Sequence, residues 1–143
     1  MNKDIEVKPE ELEGKTLIVT HMSQDKFNTE TVEDLGRLEE GEEVPSKKVF
    51  EDPGELAKLF TEKRKELVKE VKENQPGSIS QLAENLERGK SEVYSDLKLL
   101  EKHGIVFFEE DGQAKKPRIP YDEIKVEFNL LGENSKIGDG IKA

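Results

Sequence analysis

Ten side chains hold most of the chemistry that this sequence offers. Arg88, Lys90, Ser91, Glu92, Tyr94, Ser95 and Lys98 lie close together, and Lys115, Lys116 and Arg118 bracket Pro117 further on. The hydroxyls of Ser91, Tyr94 and Ser95 can bond phosphate oxygens or base edges, Glu92 can accept from a cytosine amino group, and Lys98 suits a phosphate. Three cations on a hairpin can lie along a nucleic-acid backbone or enter a minor groove. Arg88 and Lys90 are further phosphate candidates. Each group also has a plainer reading. The helix residues make an ordinary solvated face, Arg88 and Lys90 are ordinary turn residues, and a charged hairpin tip also keeps sheet edges from aggregating.

Other chemistry finds little support. Cysteine is absent, which excludes disulfides, thiolate metal sites and cysteine nucleophiles. The two histidines, His21 and His103, have no metal-ligand spacing with carboxylates. No GxSxG, P-loop or GxGxxG occurs, and no nucleophile–base pair stands out. The expectation is a protein that is not an enzyme and carries no cofactor or metal.

Periodicity predicts the elements around these groups. Ser78 with Gln81 resembles a capping box. Ile79, Leu82, Ala83 and Leu86 then share one face, so a helix is predicted over Ser78–Leu86. Glu87–Lys90 is a glycine-containing turn. A second helix, Ser91–His103, turns Val93, Leu97 and Leu100 inward and Ser91, Ser95, Lys98 and Lys102 outward, with Tyr94 on the flank. His103 reads as a helix C-terminal residue, and Gly104 fits the left-handed stop. Ile105–Phe108 reads as a strand with one of Phe107 and Phe108 in the core. Glu109–Lys116 reads as the hairpin tip, turning at Asp111-Gly112, and Pro117–Ile119 as the returning strand.

Upstream, Thr61 caps a predicted helix over Glu62–Asn74 with Leu67, Val68 and Val71 inward. The run Lys63, Arg64, Lys65 is expected to support that helix by pairing with Glu62, Glu66 and Glu70. Residues 1–14 are expected to fray. A strand is predicted over Thr16–Met22 and a helix over Thr29–Glu40, with Val32, Leu35 and Leu38 on one face. Gly41–Lys48 reads as a charged loop, and Asp52-Pro53-Gly54-Glu55 opens a short helix. Ile124, Val126 and Phe128 alternate as a half-buried strand. The expected fold is α+β, a winged helix-turn-helix with an N-terminal strand/helix extension. Its parts are 1–50 (acidic extension), 51–130 (winged helix-turn-helix) and 131–143 (disordered tail).

Several motifs carry a family resemblance. Thr61–Val68 (TEKRKELV), Pro76–Ala83 (PGSISQLA), Val93–Lys98 (VYSDLK) and Lys116–Ile124 (KPRIPYDEI) resemble the winged-helix transcriptional regulators of archaea and bacteria, a group related to the MarR and ArsR types. Gly41-Glu42 and Val49-Phe50-Glu51 resemble the run before that family's first helix. The likeness spans roughly residues 35–128, and Ser95 and Gln113 stand where such proteins carry cations. It implies DNA binding and transcriptional control, and some bacterial members of that group are thought to act as antitoxins.

Charge sharpens the question. Net charge is −10, with 39% charged and 32% apolar residues. Residues 1–60 hold 8 Lys and Arg against 16 Asp and Glu, whereas residues 61–120 hold 12 against 12. The reading head is therefore neutral, and phosphate binding must come from local charge, with few contacts or help from a second copy. No apolar run is long enough to span a membrane, and no secretory signal is evident, so a cytoplasmic address is expected. These readings imply a sequence-specific double-stranded DNA-binding regulator, a repressor acting by occupancy as a homodimer. The alternative is a protein-interaction module, an antitoxin-like or adaptor protein whose acidic N-terminal region binds a basic partner.

Overall fold

The structure, a computed structural model, describes residues 8–130. It is α+β. A 3₁₀ turn at Pro9–Leu12 precedes β1 (Thr16–His21), α1 (Gln24–Glu39), β2 (Ser46–Phe50), α2 (Pro53–Leu59), α3 (Glu62–Asn74), α4 (Ile79–Leu86), α5 (Lys90–Lys102), β3 (Phe107–Asp111), β4 (Ala114–Arg118) and β5 (Glu123–Val126). No helix among the described residues is long and apolar enough to cross a membrane. The expected tail 131–143 lies outside the described residues.

The chain divides into two compact units. One takes the stretch up to Lys15 together with Leu59–Asp122; the other takes Thr16–Lys58 and the stretch from Glu123. The expected boundary at 50/51 does not coincide with them. β5 pairs in parallel with β1 from Thr16↔Glu123 to Val19↔Val126, so the last described strand completes the sheet that the first one begins. Only two strands would remain without it, and two strands are marginal in water.

In the first unit α3 and α4 are each started by a side chain. Thr61 Oγ1 accepts from Arg64 N at 3.2 Å, and Ser78 Oγ from Gln81 N at 3.0 Å. The capping box at Ser78 is half-formed, because the Gln81 amide donates forward to Asn85 Oδ1 at 2.8 Å. α4 packs on α3 and α5, and β4 lies against α3 and α4. Leu67, Val71, Leu82, Val93, Leu97 and Leu100 fill the interior with Ile105 and Val106. Val68 and Leu86, expected inward, are only half-buried. Gly104 adopts φ +77 at the end of α5, after the cap residue His103. Residues 8–15 are not frayed: Leu12 is buried, Gly14 N donates to Pro120 O, and Asp122 N donates to Lys15 O. Tyr121, whose pKa burial raises, donates its hydroxyl to Gly104 O at 2.9 Å.

The hairpin is tighter than the sequence suggested. β3 and β4 pair antiparallel from Phe107↔Arg118 to Asp111↔Ala114, leaving Gly112-Gln113 as the loop, with Gly112 at φ +67. Glycine tolerates that backbone, and a two-residue connection then suffices. Ile105 and Val106 precede the strand and are fully buried, whereas Phe107 and Phe108 are both half-buried, so neither is the core residue expected of the pair.

The second unit is a three-stranded parallel sheet ordered β2-β1-β5. Its crossover helix α1 begins at Gln24, five residues before the predicted start, because Ser23 Oγ accepts from Lys26 N at 3.2 Å. α2 opens as predicted, with Asp52 Oδ1 accepting from Gly54 N at 3.0 Å.

Leu97 lies on α5 with no exposed surface. Leu97→Ala is expected to cost about 2–5 kcal/mol in urea denaturation. Leu35→Ala, on the open face of α1, is expected to stay within about 0.5 kcal/mol.

Candidate nucleic-acid interface

The sequence-predicted residues separate into an inward set and an outward set. Arg88, just before α5, points inward. Its side chain is 9% exposed, and Nη2 reaches Asp96 Oδ2 at 2.6 Å and Glu92 Oε2 at 3.2 Å. Burial works against its charge, but Asp96 and Glu92 outweigh that and raise its pKa. Arg64 of α3 takes the other Asp96 oxygen, Nε to Oδ1 at 3.0 Å, and Lys63 reaches Glu92 at 3.4 Å. Of the basic run on α3, Lys65 pairs along its own helix, with Glu62 at 2.9 Å. Arg88 is thus an internal strut, which corrects its assignment to the reading face, while Glu92 stays exposed but is engaged by Arg88 and Lys63. Of the two cations on Glu92, Arg88 is 9% exposed and Lys63 is 65% exposed.

Arg118 is also withdrawn from the predicted set. Its Nη1 donates to Pro76 O at 2.8 Å and to Pro117 O at 2.7 Å, and its Nε lies 3.9 Å from Glu109. It fastens the hairpin to the turn between α3 and α4. Lys116 stands opposite Glu109 in the ladder and is half-buried. Arg118 is a strand residue as expected, and Lys116, expected in the hairpin tip, is one too, because β4 covers Ala114–Arg118.

What remains outward is compact. Ser91, Tyr94, Ser95 and Lys98 are exposed on α5, and Lys90 and Lys115 are exposed beside them. Lys98 and Lys115 approach the Phe108 ring at 6.0 and 5.7 Å, and Lys98 also lies 6.0 Å from the Tyr94 ring. The negative face of an aromatic ring attracts ammonium groups, so Phe108 holds two cations from different elements on one surface. That use accounts for its half-burial. Lys98 also bonds Glu101 Oε1 at 2.9 Å, which raises its pKa and offsets part of its field outward.

Ser78, Ile79, Ser80, Lys90, Tyr94, Gln113, Ala114 and Lys115 line an open groove of about 360 Å³. The starts of α4 and α5 and the hairpin loop meet there. The first turn of α5 has no side-chain cap at Gly89, so its amide N–H groups are open to an acceptor. Ser80 was missed in the sequence, since only the packing of α4 against the hairpin brings it to Lys90, and Gln113 was pointed to by the family resemblance alone. For the Arg88 strut a signal existed: Arg88, Glu92 and Asp96 recur every four residues, the spacing of one helix face.

A second concavity, about 330 Å³, lies in the other unit at the carboxyl ends of β1 and β2. There His21 is buried, and its Nε2 accepts from Asn129 N at 3.0 Å. It contains none of the predicted site residues. Among the described residues no three His, Cys, Asp or Glu side chains converge as metal ligands do.

Comparison with known families adds one finding. Residues 59–126 match a family model described as HVO_A0114. The matched stretch holds α3, α4, α5 and the hairpin, and therefore all ten predicted residues and the groove. No curated protein matches the chain.

Asp96→Ala would leave two guanidinium groups facing each other without their shared carboxylate. It is expected to cost about 3 kcal/mol of stability in chemical denaturation. Glu92 gives a pH-dependent counterpart. The hydrogen bond from Arg88, then its charge and Lys63, hold the Glu92 carboxyl below its ordinary value. A lowered folded-state pKa stabilises above the unfolded value, about 4.3, and that stabilisation is lost as pH falls through the folded value. Glu92→Gln should therefore be less stable than the parent at pH 7, and the two melting curves should converge below about pH 4.

Proposed function

We propose that the chain binds duplex DNA as a winged helix-turn-helix regulator. In this reading the first half of α5 enters the major groove and the hairpin lies on the flanking backbone. The observation that carries it is the sorting of charge on α5. Asp96 faces Arg88 and Arg64 inside the fold and Glu92, though exposed, is held by Arg88 and Lys63, while Lys90 and Lys98 face outward beside Lys115 and only Glu101, on Lys98, offsets them among the acids of α5. A neutral segment thereby gains a local positive face, the electrostatic footprint that phosphate binding requires. The resemblance to winged-helix regulators points the same way.

The exposed donors also set the style of recognition. All four arginines are engaged within the fold: Arg37 with Glu42, Arg64 and Arg88 with Asp96, and Arg118 with Pro76. The outward cations are lysines, compact point charges suited to phosphates, whereas arginine is the usual bidentate reader of guanine. Base readout then falls to Ser91, Tyr94 and Ser95. Three lysines per chain are few phosphate contacts, so occupancy of an operator calls for two copies on two-fold-related half-sites.

The test is fluorescence anisotropy on duplexes recovered by genomic pull-down and sequencing. Affinity is expected to fall with salt, each neutralised phosphate contributing a slope of about 0.9. Lys90→Glu with Lys115→Glu should abolish binding without loss of folding, while Lys116→Glu should do much less. Equal enrichment of fragments by the parent and the double variant would refute the reading.

A further inference from the structure

Helix α1 is built inside out. Its three half-buried residues are Lys26, Glu30 and Asp34, and Glu30 and Asp34 hold Lys47 of β2 at 2.7 and 3.5 Å. The helix thus rests on the sheet through charged groups, and none of its residues is buried. Its apolar residues Val32, Leu35 and Leu38 face away, 69, 55 and 52% exposed, and Phe27, 39% exposed, lies at the margin of the stripe beside Met22 and Val49. At helical spacing these four, with Thr31, occupy an arc of roughly 140°. Surface ion pairs contribute at most about 1 kcal/mol each, so they give no reason to present such a stripe to water. A contiguous exposed apolar stripe marks a surface that something covers.

The surrounding charge says what fits. In this unit the described residues hold 6 Lys and Arg against 13 Asp and Glu. Four of the cations, Lys26, Arg37, Lys47 and Lys58, already pair with its own acids. Just past Leu38 the chain carries Glu39, Glu40, Glu42 and Glu43, and the C-terminal end of the helix dipole adds to their field. A second copy with its helix parallel would bring the same acids face to face. Four apolar side chains also fall well short of the roughly 800 Å² per partner of a standard interface. A single helix with an apolar stripe and basic flanks meets both conditions, in area and in sign.

We propose that the outward face of α1 docks a basic amphipathic helix of another protein. The inference does not rest on DNA binding, since its residues belong to the other unit. The test titrates the full chain into a labelled helical peptide with leucine at its a and d positions and lysine elsewhere. Its controls are the same peptide with glutamate for lysine and a scrambled peptide of equal charge. Binding is expected for the patterned lysine peptide alone, weakening as salt is raised. Leu35→Glu with Leu38→Glu should weaken it about tenfold or more. Both leucines are exposed, so the melting curve and DNA affinity of that variant should match the parent. Equal binding of the scrambled or glutamate peptide, or unchanged binding by the variant, would overturn the proposal. So would a dimer, seen by light scattering, that the double substitution splits, because the stripe would then belong to a second copy.

Discussion

The Asp96 carboxylate, shared between Arg64 and Arg88, organises the unit that carries the candidate interface. It joins α3, the turn before α5, and α5 itself through contacts of 3.0 and 2.6 Å. A mostly buried carboxylate is tolerable only when it is paired and hydrogen-bonded, and here two guanidinium groups do both. Two nitrogens of Arg88, Nε and Nη1, are nevertheless buried without a partner, so the desolvation of that side chain is only partly compensated. The strut is therefore better understood as fixing the orientation of α5 than as adding stability. Buried ion pairs seldom exceed a well-packed apolar replacement in stability, but they do discriminate among alternative packings.

Orientation is what the outward face requires. With Val93, Leu97 and Leu100 inside and Glu92 and Asp96 drawn toward α3, the remaining arc of α5 holds Ser91, Tyr94, Ser95 and Lys98. The hairpin is fixed to the same frame by Arg118 on Pro76 O. Phe108 then holds Lys98 and Lys115 over one ring. An acidic chain can in this way present a cationic surface without a cationic composition, because its acids are used as internal acceptors.

Helices with a cap and an apolar stripe were readable in the sequence. Glu62–Asn74 matches residue for residue, and α4 and α5 match within a residue at each end, since Thr61, Ser78 and Gly104 are local signals with local causes. The hairpin turn at Gly112 was readable for the same reason. What failed was the account of individual charges. Arg88 and Arg118 looked like phosphate ligands because their type suits that role; the partner of Arg118, Pro76, lies far away in the chain, whereas the partners of Arg88, Glu92 and Asp96, follow it at helical spacing. Pairing of β5 with β1 spans more than a hundred residues, and no local pattern encodes it. The start of α1 was misplaced because its apolar spacing begins well after its cap at Ser23.

The two faces have opposite electrostatic logic. On α5, Asp96 is turned in and lysines out, and hydroxyls fill the gaps, a surface with little apolar character that suits a hydrated polyanion. On α1, charged residues are turned in toward Lys47 and leucines out, where acids outnumber cations, a surface that suits a cation-bearing apolar helix. Neither arrangement follows from folding alone. A helix stabilises a fold best with its apolar stripe inward, and α5 obeys that rule while α1 breaks it. A local rule broken without compensation inside the molecule directs attention to what lies outside it.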